Sequence, residues 1–174
     1  LYSFHQDEKD LNRFYQVVDA AYKKIFNRCD LDVYVAEASG GAFTKEFTHE
    51  YQVLSEAGED IIFYCVKCSY VQNREIASIK DGDPCPKCRR GVVKSAKSIE
   101  VGNIFKLGTK YSNPFGLLYS DEKGAKRPVV MGSYGIGVGR LMAAIVEAHY
   151  DDKGIICQEA VAQFTIHLIS LGAK

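Results

Sequence analysis

Apolar positions recur along this chain with two periods. Leu1 to His5 alternates aromatic and polar residues and reads as extended. Leu11, Phe14, Tyr15, Val18, Tyr22, Ile25 and Phe26 then return every three or four positions, the spacing of one helical face. Asp7, Glu8 and Asp10 precede that run and Lys23, Lys24 and Arg28 stand near its end, complementing the helix dipole. Leu31 to Glu37 goes back to period two and predicts a strand. Ser39-Gly40-Gly41 and a polar stretch at 44–48 break it. His49 to Leu54 and Ile61 to Tyr64 predict two more strands around a turn at Gly58. Ile99 to Leu107, Phe115 to Tyr119 and Pro128 to Met131 also read as strands, with a hairpin loop at Ser120 to Gly124. Ile155 to Cys157 and Phe164 to Leu171 read as extended.

The densest signal is Met131 to Glu147, MGSYGIGVGRLMAAIVE. A buried strand over 127–131 leads into Gly132, Gly135, Gly137 and Gly139, which permit tight turns and close backbone approach. Leu141, Met142, Ile145 and Val146 follow at helical spacing, and Asp151 to Gly154 is expected to cap that helix. Strand, glycines, a lone Arg140 and a helix make a floor for a polyanion. The helix start offers amides and a positive dipole end, and the guanidinium offers a planar fork. A glycine-rich turn in a packed core would read the same way. Hairpin-connected strands beside two long helices predict an α+β domain built on an antiparallel sheet.

Lysine plus arginine equals aspartate plus glutamate at 22 each, so no global field draws the chain to nucleic acid or membrane. Apolar runs fall short of a membrane span, and no membrane partner or secretory signal is expected. Four of the six cysteines form two CxxC knuckles, Cys65/Cys68 and Cys85/Cys88, with sixteen residues between them. That spacing suits one tetrahedral Zn²⁺ held by four thiolates, and it fits a reducing, cytoplasmic setting. Cys29 and Cys157 fall outside the pattern and read as ordinary small apolar residues.

Three stretches carry a family likeness: GSYGIGVGRLMAAIVE, IEVGNIFKLGTKYS (Ile99 to Ser112) and LYSFHQDE (Leu1 to Glu8). The first resembles the third signature motif of class II aminoacyl-tRNA synthetases. All three, in the order in which they stand along the chain, are similar to bacterial-type prolyl-tRNA synthetases. The resemblance implies a class II synthetase-like antiparallel sheet flanked by helices, with a small zinc-ribbon-like insertion carrying four cysteines. It divides the chain at 1–64 (core), 65–98 (insertion), 99–163 (core with the third motif) and 164–174 (start of a link to an anticodon-binding domain). The first two motifs and that domain are not within these residues, so the chain is expected to be part of a longer protein and inactive by itself. Family members commonly carry a large editing domain between the knuckles; sixteen residues cannot form one. The sequence departs from the family at Thr48 and Tyr51 around His49-Glu50, at Cys157-Gln158, at Asn103 where histidine is common, and at bulky Phe43, Lys45, Glu46 and Phe47.

The implied reaction is activation of L-proline by ATP with Mg²⁺, then transfer to tRNA(Pro), in a protein that is a homodimer at full length. By motif matching, Glu100, Asn103 and Arg140 are the expected ATP-binding residues, Glu100 and Arg140 the catalytic pair. Phe4, His5, Phe105, Ser133 and Gly135 are the expected proline site. Cys65, Cys68, Cys85 and Cys88 are the expected metal ligands. Two other readings compete: a zinc-ribbon nucleic-acid-binding module, with Arg89, Arg90, Lys94 and Lys97 near the knuckles, and a non-catalytic synthetase-like paralogue.

Overall fold

Strands form wherever the period-two pattern is sustained, in the order β1 (Tyr2–His5), helix α1 (Glu8–Arg28), β2 (Val33–Ala38), β3 (Thr48–Leu54), β4 (Asp60–Cys65) and β5 (Val71–Asn73). The chain continues through β6 (Val93–Gly108), β7 (Leu118–Ser120), β8 (Lys126–Pro128), β9 (Val130–Ile136), α2 (Val138–Ala148), β10 (Tyr150–Asp151) and β11 (Gly154–Ile155). This computed structural model describes residues 1–44 and 46–172; Lys45, in the polar break before β3, lies outside the described residues.

Seven strands make one sheet in the order β1-β9-β6-β3-β2-β5-β4, and β4 pairs a second time with β6. The pairings are antiparallel except for one parallel contact, Glu37 of β2 opposite Gln72 of β5. The ring β6-β3-β2-β5-β4 thereby closes around Ala36, Ile62 and Val71. On the other side, α1 buries Leu11, Tyr15, Val18, Tyr22 and Phe26. Four of these pack on Tyr51, Val53, Val101, Ile104 and Tyr134 of the sheet, forming the main core. Asp7 caps α1 by accepting the Asp10 amide at 2.7 Å, as its side chain suits.

The class II synthetase-type sheet is present, but the layers are less even than the pattern suggested. α1 has 21 residues and covers one face, whereas α2 has 11 and buries only Ala144 fully. Met142 is 66% exposed while Leu141 and Ile145 are half-buried against the main core, so the apolar stripe of α2 is only partly covered. The glycines of the central stretch do not form one loop either. β9 runs through Gly132 and Gly135, because its amides are laddered to β1 and β6 on both sides, and Gly137 becomes the N-cap of α2. Asp151 does not cap α2, which ends at His149; it turns the β10–β11 hairpin by accepting the Lys153 and Gly154 amides. The strand expected over Phe115 to Tyr119 begins only at Leu118, since Gly116 sits at φ 60° and the Leu117 amide bonds back to Ser112. Among the described residues, 164–172 form no strand; Leu168 and Leu171 have no neighbouring strand to cover them and lie open. The segment after the knuckles is continuous with the core, since Val93 to Ser98 are the first third of β6 and pair with β4.

Gly132 illustrates close approach inside the core. A Cβ there would lie 2.2 Å from the Tyr134 hydroxyl and 2.8 Å from Ser3 Oγ. Gly132→Ala is expected to destabilise the fold by about 1–3 kcal/mol, the usual cost of overpacking, seen as a lower Tm in thermal unfolding.

Candidate functional site

Alternation across β1, β9 and β6 sorts side chains onto two faces. Tyr2, Ser133 and Phe105 are cross-strand partners on the face away from α1, followed by Gly135, Asn103 and Glu50. Ser3, Gly132 and Lys106, then Tyr134, Ile104 and His49, face the helix. Lys106 lies over the Tyr15 ring at 5.1 Å and His49 Nδ1 bonds the Tyr15 hydroxyl at 2.7 Å.

At one end of the open face is a cavity of about 480 Å³ with an apolar wall, lined by Tyr2, Phe43, Tyr111, Phe115, Met131 and Ser133 among others. Phe43 packs on Phe105 with ring centroids 5.2 Å apart. Phe4 is on the same face, opposite Met131, and is 60% exposed. The structure thus groups Phe105, Ser133 and Gly135 and leaves Phe4 at the margin. His5 is not on this wall. One residue beyond Phe4 in a period-two strand, it points to the helix face and is buried. There its Nδ1 meets Asp10 at 2.7 Å and its Nε2 meets Ser3 Oγ at 2.7 Å; Ser3 in turn meets the Tyr134 hydroxyl at 2.9 Å. The bonds from His5 and Arg13 hold the Asp10 carboxyl below its usual range.

Next along the face stands an ionic clasp. The Arg140 guanidinium donates to Glu100 Oε2 at 3.0 Å and to the Glu100 carbonyl at 3.1 Å, while the Asn103 amide donates to Glu100 Oε1 at 2.7 Å. A cavity of about 260 Å³ joins these three side chains to the backbone of Gly135, Ile136 and Gly137. Gly137 offers no side chain to cap α2, and its first turn holds no acid, so the helix start faces this cavity unneutralised. The three residues expected to bind a nucleotide therefore do meet. A second polar cavity of about 470 Å³ beyond Glu100 is lined by Glu50, Asp60, Asn73 and Arg74. Asn73 and Gln52 each donate to Glu50 Oε2, at 2.9 and 3.0 Å.

Sequence reasoning missed Tyr2, Phe43, Tyr111 and Phe115. The aromatic alternation of β1 already pointed to Tyr2, but the other three sit in turns with no periodicity, and only the fold brings them to one wall.

The four knuckle thiols converge, with Cys65 and Cys88 sulfurs 3.7 Å apart, Cys68 and Cys85 3.6 Å apart, and all four within 4.8 Å. Those separations are too long for disulfides. They match the edge of a tetrahedron with metal–sulfur bonds of about 2.3 Å, which is about 3.8 Å. Backbone N–H groups of Arg90 and Gly91 pull the Cys88 thiol down to about 6, whereas burial and the neighbouring thiols push Cys68 up to about 12, and a bound metal would displace the protons that remain. The residues present fit a zinc ion.

The model of the tRNA synthetase class II core domain (G, H, P, S and T) matches residues 1–149. The chain belongs to this family. It is similar to the proline–tRNA ligase of Sulfurimonas denitrificans, 35% identical over 99% of this chain and 44% of that protein. It is 37% identical to that of Wolbachia sp. subsp. Drosophila simulans over 99% of this chain and 43% of the relative. The chain thus spans less than half the length of these relatives. Its match to the proline–tRNA ligase of Halothermothrix orenii, at 26% identity over 98% of this chain and 56% of that protein, runs over 319 residues. The prolyl-tRNA synthetase of Cryptosporidium parvum, solved with L-proline and AMP, shares the fold at a TM-score of 0.62 and 18% identity, over 93% of this chain and 26% of that one.

Burial pushes the Glu50 carboxyl above its ordinary value of 4.5, with the Glu100 charge adding to it and the Asn73 bond opposing. The folded state therefore holds this proton to higher pH than the unfolded chain does. This site's stability cost is absent below pH 4.5 and grows as pH rises through the raised folded value. Glu50→Gln is expected to raise Tm at neutral pH, with the gain vanishing below about pH 4.5 in a pH series of melts.

Proposed function

We propose that the chain is the catalytic core portion of a proline–tRNA ligase, which activates L-proline with ATP and passes it to tRNA(Pro). The observation that carries this reading is one sheet face holding an aromatic-walled cavity beside the Glu100–Asn103–Arg140 clasp at an uncapped helix start. A pyrrolidine ring fits the apolar wall of Tyr2, Phe43 and Phe115, with Phe105 behind Phe43, and the Ser133 hydroxyl would orient its carboxylate where Gly135 leaves the face open. That carboxylate attacks the α-phosphorus of ATP, a new C–O–P bond forms, and the α–β bridge breaks to release pyrophosphate. The protein's part is alignment and charge stabilisation. Arg140 exchanges its hold on Glu100 for a phosphate oxygen or the adenine face, and the freed Glu100 carboxylate, an oxygen ligand, can hold Mg²⁺. When bound there, Mg²⁺ would supply positive charge to offset that of the phosphates. The aminoacyl group then moves to the terminal adenosine of the RNA.

His5 acts from behind the wall in this reading: with Asp10, Ser3 and Tyr134 it fixes β1 against β9. Zinc on the four cysteines has a structural role, and the knuckle segment 65–92 acts as a ribbon between β4 and β6 of the core. The sixteen residues between the knuckles are too few to form an editing domain there. The full-length protein is proposed to be a cytoplasmic homodimer. Among the described residues no helix is long and apolar enough to cross a membrane.

Proline-dependent ATP–pyrophosphate exchange by the full-length protein tests the reading. Arg140→Ala should slow exchange by about 10²–10³, the range for one preorganised charge-stabilising donor, and Arg140→Lys should recover little because a point charge lacks the planar fork. Near-normal exchange in the alanine variant would refute the assignment. Elemental analysis of protein purified without chelator should find one zinc per chain; reduced cysteines with no metal would refute the ribbon.

A further inference from the structure

The chain's zero formal charge hides a strong local asymmetry. Residues 65–98 carry eight lysines and arginines against three acids, a net charge of +5. The three acids are engaged with backbone amides. Asp81 accepts from the Ser95 N–H at 2.7 Å, Asp83 from the Lys80 N–H at 2.8 Å and Glu75 from the Ser39 N–H at 2.8 Å. Among the described residues, Lys97 alone of the eight cations has an ion-pair partner, Glu56 at 4.0 Å. Lys67, Lys87, Arg89 and Arg90 stand exposed on the two knuckle turns. The fold gathers them: a Cβ on Gly91 would lie 2.5 Å from Cys65 Sγ and 3.0 Å from Lys67 Cβ, and Lys87 Nζ reaches Ser69 Oγ of the first knuckle at 3.0 Å. Balancing a thiolate cluster does not account for so much charge. A zinc tetrathiolate has a net charge of −2, which leaves the segment at +3.

We propose that this knuckle surface docks the phosphate backbone of the RNA substrate, close to the end that must reach the catalytic face. The inference rests on the tRNA reading above. Four unpaired cations on short turns suit phosphate oxygens, which position an RNA without reading its sequence. The patch is also within reach of the site. Val93, paired with Cys65, precedes Glu100 by seven residues of β6, roughly 23 Å at 3.3 Å per residue. A duplex held at the knuckles could therefore extend a short unpaired 3′ end along the open face to the clasp.

The test is the variant Lys67→Gln/Lys87→Gln/Arg89→Gln/Arg90→Gln in the full-length protein, with tRNA(Pro) affinity read by fluorescence anisotropy over a salt series. Each phosphate contact contributes about 0.7–0.9 to the slope of log affinity against log salt, so four lost contacts should flatten that slope by about 3 and weaken binding at least tenfold at roughly 0.1 M salt. Zinc content and proline-dependent exchange, which needs no RNA, should stay unchanged. Unaltered affinity and slope would overturn the proposal, as would weaker binding with an unaltered slope or with loss of zinc. Should the fourfold variant fail to fold, Lys67→Gln/Lys87→Gln should give about half the slope change, and no change would equally overturn it. Wild-type protein lacking proline-dependent exchange would defeat the activity reading alone, because RNA affinity and its salt slope are measured independently.

Discussion

Strand β6 is the constraint on which the rest of the molecule depends. Over sixteen residues it pairs with β4 near the thiolate cluster, then with β3 and β9 on its two edges. Two register shifts are set into it, leaving Val101 extra against β3 and Leu107 extra against β9. Extra residues of this kind bend a strand and re-aim its side chains. Between the shifts, Asn103 and Phe105 face the open side while Ile104 faces α1. A one-residue slip of this segment would exchange the aromatic cavity and clasp for the core.

The helix face supports the open face by burying polar groups in pairs. Asp10, His5, Ser3 and Tyr134 run from the first turn of α1 through β1 to β9, with each successive contact between 2.7 and 2.9 Å. Buried polar atoms left alone are costly, so such a chain tolerates few rearrangements. It joins the amino-terminal strand to the glycine-bearing strand, whose opposite face carries Met131 and Ser133. The lack of a side chain at Gly132 is part of the same arrangement, because the Tyr134 hydroxyl occupies the space a methyl group would take.

The cysteine cluster and the acid-lined end of the open face are close along the chain in this architecture. Asp60 and Cys65 are the two ends of β4, and Asn73, at the end of β5, donates to Glu50 at the polar cavity. Ordering of the knuckles by a metal would therefore be felt through two short strands at the acid-lined end of the site. The Glu100–Arg140 pair is partly exposed, so it holds the clasp together only modestly.

The sequence by itself determined the elements that follow from local period and from chemistry at fixed spacing. The α1 stripe from Leu11 to Phe26, the alternation in β1, β2 and β3, the paired knuckles and the three family motifs were all legible, because each is written in neighbouring residues. So were Glu100, Asn103 and Arg140 as a set. Tertiary structure alone decided what depends on which face a strand presents and what packs across it. Alternation in β1 already separates His5 from Phe4, but which of the two faces lies against α1 was decided only by the packing of β1 and β9 on the helix. The glycines of the third motif entered strand and helix because β1 and β6 flank them. Phe43 reached the wall from the turn before β3, and Tyr111 and Phe115 reached it from the one turn stretch that follows β6; strand alternation reads neither place.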